Sequence, residues 1–210
     1  LIETRPSDNH ELSLTESTQG GSRTLNFTYR TDFHVQASGV SMEMEVPIVF
    51  VGYGLSDEEN GYDDFKDVDV KDKIILRLSG YPGQENTESK AYKSFFKEWG
   101  RGGYALMRAK NERATELGVA AVIEVYPGDD ITEAWAANLP FRVNSGNYEG
   151  VKPRASYYET RMSLPGSELR SRVTQIGISE RVTNELLKGS GVDLKAFQNK
   201  VSEFIRKSLF

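Results

Sequence analysis

Short apolar runs separated by polar, glycine-bearing loops set the layout of the chain. The clearest run is Ile48-Val49-Phe50-Val51. Its β-branched residues predict a strand buried on both faces. Gly52 and Gly54 flank Tyr53 directly after it, so the strand is expected to end in a tight, irregular turn. An acidic stretch follows, and Asp69-Val70-Lys71-Asp72-Lys73 leads into a second apolar run, Ile74-Ile75-Leu76. Upstream, the segment 1–21 is polar, with one short strand expected around Glu11–Leu14. Leu25, Phe27 and Tyr29 then alternate with polar residues, as do Val40, Met42, Met44 and Val46. This period-two pattern predicts two half-buried strands that join the sheet of the central stretch.

Beyond Leu78 the period changes. Ala91, Phe95 and Trp99 recur at four-residue spacing, which predicts a helix over Lys90–Trp99, broken by Gly100, Gly102 and Gly103. A second helix is expected over Tyr104–Leu117, with Leu106, Ala109, Arg113 and Leu117 along one side. Lys and Arg would occupy its outer face, and Gly118 would close its C-terminus. Val119–Val125 is again a strand pattern, and helix, glycine, strand is the order of an α/β unit. Tyr126–Gly128 reads as a turn, Thr132–Leu139 as a short helix, Asn144–Gly150 as a loop, Arg154–Met162 as a strand and Pro165-Gly166 as a turn. Gln175–Ser179 is short and partly apolar; Ser179 is placed to cap a helix over Glu180–Lys188 that stops at Gly189. Asp193 is placed to cap a last helix striped by Leu194, Phe197, Val201, Phe204 and Ile205.

Composition narrows the function classes. The chain has no cysteine, which excludes disulfides, thiolate metal sites and cysteine nucleophiles. A net charge of -5 disfavours nucleic acid or an anionic membrane surface as general partners. No apolar segment approaches the roughly 20 residues that span a bilayer. Leu1 in place of Met, and Phe210 directly after a helical pattern, lead to the expectation of a piece of a longer polypeptide.

Candidate chemistry thins out on inspection. His10 and His34 lie in separate polar segments and in no metal-ligand spacing, so both read as ordinary surface or edge histidines. Ser190 sits between Gly189 and Gly191, but after a helix, where a nucleophile elbow needs a strand; it reads as cap and linker. Asp57, Glu58, Glu59, Asp63, Asp64, Asp67, Asp69 and Asp72 concentrate carboxylates in the loop 57–72. Clustered oxygens suit calcium, yet the spacing before Gly61 does not follow an EF-hand; a solvated, turn-forming loop is the simpler reading, with calcium the alternative. Gly52-Tyr53-Gly54 lacks the further glycine or Gly-Lys-Ser/Thr of a phosphate loop. Lys90, Lys93, Lys97, Arg101, Arg108, Lys110 and Arg113 interleave with Tyr92, Phe95, Phe96 and Trp99. At helical spacing this predicts core aromatics and lysines on the wet face rather than a single-strand nucleic-acid platform. Asn26-Phe27-Thr28 is a formal glycosylation sequon that matters only in a eukaryotic secretory context. No residue is assigned as catalytic, cofactor-binding or metal-binding.

The ordered set VPIVFVGYG (46–54), GYDDF (61–65) and VDVKDKIIL (68–76) resembles the opening of a protease-associated domain, of the kind inserted in secreted zinc aminopeptidases related to the transferrin receptor and glutamate carboxypeptidase. Ala109-Lys110, Ala114 and Leu117-Gly118-Val119-Ala120-Ala121-Val122-Ile123 resemble its second signature. Asp72 stands where the family commonly has glycine, and Gln175 and Gly177 replace more apolar residues. The resemblance implies an α+β (mixed α/β) fold: a curled β-sandwich or open barrel with flanking helices. It implies N-terminal strands over 1–45 joining the same sheet, a domain core over 46–178, and a helical pair over 179–210 leading back to a peptidase core. It further implies an exported, extracellular or periplasmic, non-catalytic domain that shapes substrate access or binds peptide or protein, with the catalytic core as partner and zinc held in that core. A free-standing binding module without an enzymatic partner is the alternative.

Overall fold

The computed structural model describes residues 2–4, 9–18, 20–29, 32–35, 42–57, 61–84, 86–100, 102–125, 161–163, 173–178, 180–188 and 190–208. In chain order the strands are β1 (Ile2–Thr4), β2 (Leu12–Thr18), β3 (Gly21–Phe27), β4 (Phe33–Val35), β5 (Ile48–Phe50), β6 (Ser56–Asp57), β7 (Tyr62–Asp63), β8 (Ile74–Leu78), β9 (Ala121–Val125), β10 (Arg161–Ser163) and β11 (Thr174–Ile178). The helices are α1 (Lys90–Trp99), α2 (Tyr104–Glu116), α3 (Glu180–Leu187) and α4 (Leu194–Ser208). The fold is thus mixed α+β. No helix among the described residues is long and apolar enough to cross a membrane. The chain divides into two compact units: Leu1–Glu43 with Asp129–Arg170 and Thr174–Gly191, and Met44–Gly128 with Ser171–Val173 and Val192–Phe210.

The second unit contains the central stretch. β5 runs parallel to β8, with Ile48 opposite Ile74, and β8 runs parallel to β9, with Ile74 opposite Ala121. Parallel neighbours need a crossover, and α1 and α2 supply the one between β8 and β9. Between β5 and β8 the described residues carry the β6–β7 ladder. The core gathers Val51, Phe65, Val70, Ile75, Ala114, Val119 and Val122. Ala114 is fully buried, and its small side chain lets α2 lie close on the strands. Phe95 of α1 is also fully buried and meets Tyr62 edge-on at 5.7 Å and Tyr81 at 5.9 Å. Ser89 caps α1 by accepting from the Tyr92 amide, and Gly118, at φ 71°, follows α2 with its amide on the Thr115 carbonyl. Phe197 of α4 packs edge-on against Phe50 at 5.1 Å. Asp193 caps α4 by accepting from the Ala196 amide at 2.9 Å. Asp193→Ala is therefore expected to lower stability by about 1 kcal/mol in urea unfolding; an unchanged midpoint would show that the cap contributes nothing.

Several expectations change. Ile48–Phe50 are half-buried, not buried on both faces, because among the described residues of this unit β5 pairs with β8 alone. Residues 42–47 form no strand although Met42, Met44 and Val46 alternate; Met42 and Met44 are exposed, and Pro47 has no amide to offer a ladder. Leu106 lies on the buried side of α2 as expected and Leu117 packs half-buried against the core, but the buried positions between them are Lys110 and Ala114, not Ala109 and Arg113. Asp72 adopts φ 56°, the left-handed conformation that glycine would take, so the turn is as tight as a glycine turn. Asp72→Gly should relieve that conformation and raise stability by about 0.5 kcal/mol, after the greater freedom of glycine in the unfolded chain is subtracted; a lower urea midpoint would contradict this.

In the first unit, β2 and β3 pair antiparallel as a two-stranded hairpin, Leu12 opposite Phe27 through Thr18 opposite Gly21. Among the described residues they form a two-stranded sheet of their own. β1 pairs antiparallel with β10, and β4 with β11, His34 lying opposite Gly177. The features expected at 126–128, 132–139, 144–150 and 165–166, and the start of the strand expected at 154–162, lie outside the described residues; Arg161 and Met162 fall in β10.

Candidate functional site

The Gly-Tyr-Gly turn and the charges around it form the most concentrated chemistry among the described residues. Gly52 and Gly54 have φ 58° and 65°. The turn closes with the Gly54 amide on the Val51 carbonyl at 2.9 Å, and the Leu78 amide donates to the Gly52 carbonyl at 2.7 Å. Both glycines are also required by space. A Cβ on Gly52 would overlap the Asp64 carboxylate and lie 2.6 Å from the Phe197 ring; one on Gly54 would lie 2.8 Å from Arg77 Cδ.

Asp64 is what clamps the turn. Its Oδ2 accepts from the amides of Tyr53 (2.9 Å) and Leu55 (3.1 Å), and its Oδ1 accepts from the Tyr62 hydroxyl at 2.5 Å. Burial pushes its pKa up to about 6, against the pull of the Tyr62 hydroxyl, the two amides and the Lys110 charge. The Tyr62 phenol is pushed well above its ordinary range by burial and by the charge of Asp64.

Lys110 approaches from α2. It is only 2% exposed, and its Nζ donates to the carbonyls of Leu78 (2.7 Å) and Gly80 (3.2 Å), with Glu124 Oε2 at 3.8 Å. Burial pulls its pKa down to about 7; Arg77 adds to that fall, while Glu124 and Asp64 oppose it. Arg77, 1% exposed on β8, donates from Nε to Glu124 Oε2 at 2.7 Å and from Nη2 to Asn111 Oδ1 at 2.8 Å. Arg77 and Glu124 are also direct partners in the β8–β9 ladder. Burial acts to raise the Glu124 pKa, but Lys110 and Arg77 outweigh it and hold the carboxyl below its usual range. Two carboxylates and two cations therefore balance in this interior, and most of their polar atoms are committed to hydrogen bonds within it. A buried lysine with a lowered pKa can serve as a base or amine nucleophile, but here the ammonium is spent on two main-chain carbonyls and has almost no exposed surface. The cluster organises the fold around the turn.

Sequence reasoning placed Lys110 on the wet face with the other basic residues of α1 and α2, and the structure corrects this. Its register, four residues after Leu106 and four before Ala114, was the available signal. Lys90, Lys93, Lys97 and Arg108 are exposed, Phe95 is core, and Phe96 is partly exposed, stacked on Tyr92 at 5.0 Å. Arg101 lies outside the described residues.

The other candidates are dispersed. His10 packs on Tyr29 with ring centroids 4.3 Å apart, and His34 belongs to β4. Ser190 Oγ donates to the Leu187 carbonyl at 2.7 Å, closing the end of α3. In the acidic loop, Asp63 Oδ1 accepts from Ser56 Oγ and the Phe65 amide, and Asp69 binds Lys73 at 2.8 Å. Hydrogen bonding to Lys73 holds the Asp69 carboxyl below its ordinary range. Asp57 is buried, Asp67 takes φ 60°, and Glu58 and Glu59 lie outside the described residues. No group of three or more His, Asp or Glu side chains among the described residues is arranged to hold a metal ion.

A second buried carboxylate escaped sequence reasoning. Asp32, 5% exposed, receives Arg181 of α3 in a two-pronged pair at 2.9 and 2.6 Å and the Thr28 amide at 2.8 Å. Hydrogen bonding to Arg181 is the main reason its carboxyl is held below the usual range. Arg181 also lies over the Phe27 ring at 5.2 Å. Nothing in local spacing joins positions so far apart in sequence. No protein-family model matches this chain, and no curated protein is found to match it.

Proposed function

We propose that this chain is a non-catalytic protease-associated domain of an exported zinc-dependent aminopeptidase, shaping substrate access to a catalytic core that lies outside residues 1–210. One observation carries the reading. The residues on which the resemblance rests are assembled into a single interior frame: Asp64 of the Tyr-Asp-Asp segment clamps the Gly-Tyr-Gly turn, and Lys110 of the Ala-Lys helix holds the carbonyls at the end of the Lys-Ile-Ile-Leu strand. Spending those residues on architecture suits an accessory domain. On this reading the strands close into the curled sandwich or open barrel of that family, the segment 179–210 leads into the peptidase core, and zinc belongs to that core. The partners are the core itself and a peptide or protein substrate; fold-level analogy supplies this part of the assignment.

The test pairs the reading frame with an assay. The flanking frame should encode a segment with His-x-Asp, further carboxylates and a later histidine. In the whole enzyme, removal of this domain should change KM for long peptides more than for a single-residue amide. Chelator-sensitive peptide hydrolysis by residues 1–210 alone would sink the non-catalytic assignment, and a frame without a peptidase segment would sink the accessory one.

A further inference from the structure

We propose that Asp64, which clamps the Gly-Tyr-Gly turn, and Lys110, which holds the Leu78 and Gly80 carbonyls, make this interior a proton-responsive element, weakest where the carboxylate and the ammonium are both charged and firmer on either side. A protonated Asp64 keeps its carbonyl oxygen for the amides of Tyr53 and Leu55 and can exchange donor and acceptor roles with the Tyr62 hydroxyl. A neutral Lys110 keeps two N–H groups, matching the two carbonyls of Leu78 and Gly80. Discharging either group therefore leaves these bonds in place while removing an ion from a dry interior.

The groups facing the pair come from every neighbouring element. Tyr62 of β7, with Tyr53 beyond it, faces Asp64; Glu124 of β9 and Arg77 of β8 face Lys110; and the two members feel each other's charge. Glu124 is held low and Tyr62 high, so neither shares the titration range of the pair. Burial lifts the Asp64 pKa to about 6 in the fold, above its ordinary 3.8, so between those values the folded state holds more protons and stability falls as pH rises. Lys110 titrates at about 7, below 10.5, so between those values the unfolded state holds more protons and stability rises with pH. The contribution of the pair has its floor between about pH 6 and 7.

Carbon-detected NMR of the labelled wild-type chain tests this without requiring any variant to fold. One aspartate carboxyl carbon should titrate near pH 6 and one lysine Cε near pH 7, each signal disappearing in Asp64→Asn or Lys110→Met respectively where those variants fold. The gap in urea midpoint between wild type and Asp64→Asn should also drift between pH 4 and 6 and level off above. Aspartate carbons all titrating below about pH 5, with lysine carbons all above about pH 9, would overturn the proposal. So would the shift of only one of the two groups, because the floor requires both.

Discussion

Gly52→Ala is expected to cost about 3–4 kcal/mol of stability. Two separate penalties add. Holding an alanine at φ 58° costs roughly 1–2 kcal/mol by itself. The new methyl also meets the Asp64 carboxylate and the Phe197 ring, and Asp64 cannot retreat without surrendering the amides of Tyr53 and Leu55. Gly61 separates the two penalties. Its φ of 63° is nearly the same, but a Cβ there meets nothing within 4 Å. Gly61→Ala should therefore lose only the conformational part, about 1 kcal/mol. Urea unfolding of both variants decides the matter: equal losses would mean that the close approach at Gly52 contributes nothing.

Lys110→Ala should lower stability by about 3–5 kcal/mol near neutral pH, because it leaves buried partners unpaired. The Leu78 and Gly80 carbonyls lose their donor, and Glu124 loses one of its two cations. Arg108→Ala, two residues earlier on the same helix, should leave the urea midpoint unchanged, since its partner Glu112 is another exposed side chain on that helix. A double-mutant cycle between Lys110→Met and Glu124→Gln should show coupling of about 1 kcal/mol or more. A loss from Lys110→Ala no larger than that from Arg108→Ala would remove the cluster from the account of what holds this unit together.

Legibility followed the physics of each pattern. Ala91 and Phe95, Gly118 after α2, Asp193 before α4 and the positive-φ glycines around Tyr53 were readable because each depends on neighbours three or four residues away, or on glycine itself. The alternation through Met42 and Met44 misled because a strand also needs a partner ladder, and alternation encodes only faces. Lys110 was hidden because a charged side chain ordinarily lies on the wet face of a helix, whatever its register. A lysine can lie on the apolar side of a helix when its amine reaches main-chain carbonyls, and those at Leu78 and Gly80 come from residues 30 or more positions away. The acidic loop reads in the sequence as turn-forming, but which turn each carboxylate holds is not legible there: Asp63, Asp64 and Asp69 each serve a different one. Such division of labour depends on side-chain direction, which the sequence does not display.

The Arg77–Glu124 bridge has one more consequence. β8 and β9 read IILRL and AVIEV, two runs whose aliphatic positions are almost interchangeable, so apolar packing alone separates their possible alignments weakly. Sliding one strand along the other would strand a buried guanidinium and a carboxylate away from each other, an error of several kcal/mol. Replacing both residues with well-packed aliphatics would leave stability similar or higher, yet it would erase the difference between the native alignment and its shifted competitors. The pair acts as an index mark, and its value lies in the alternative structures that it forbids.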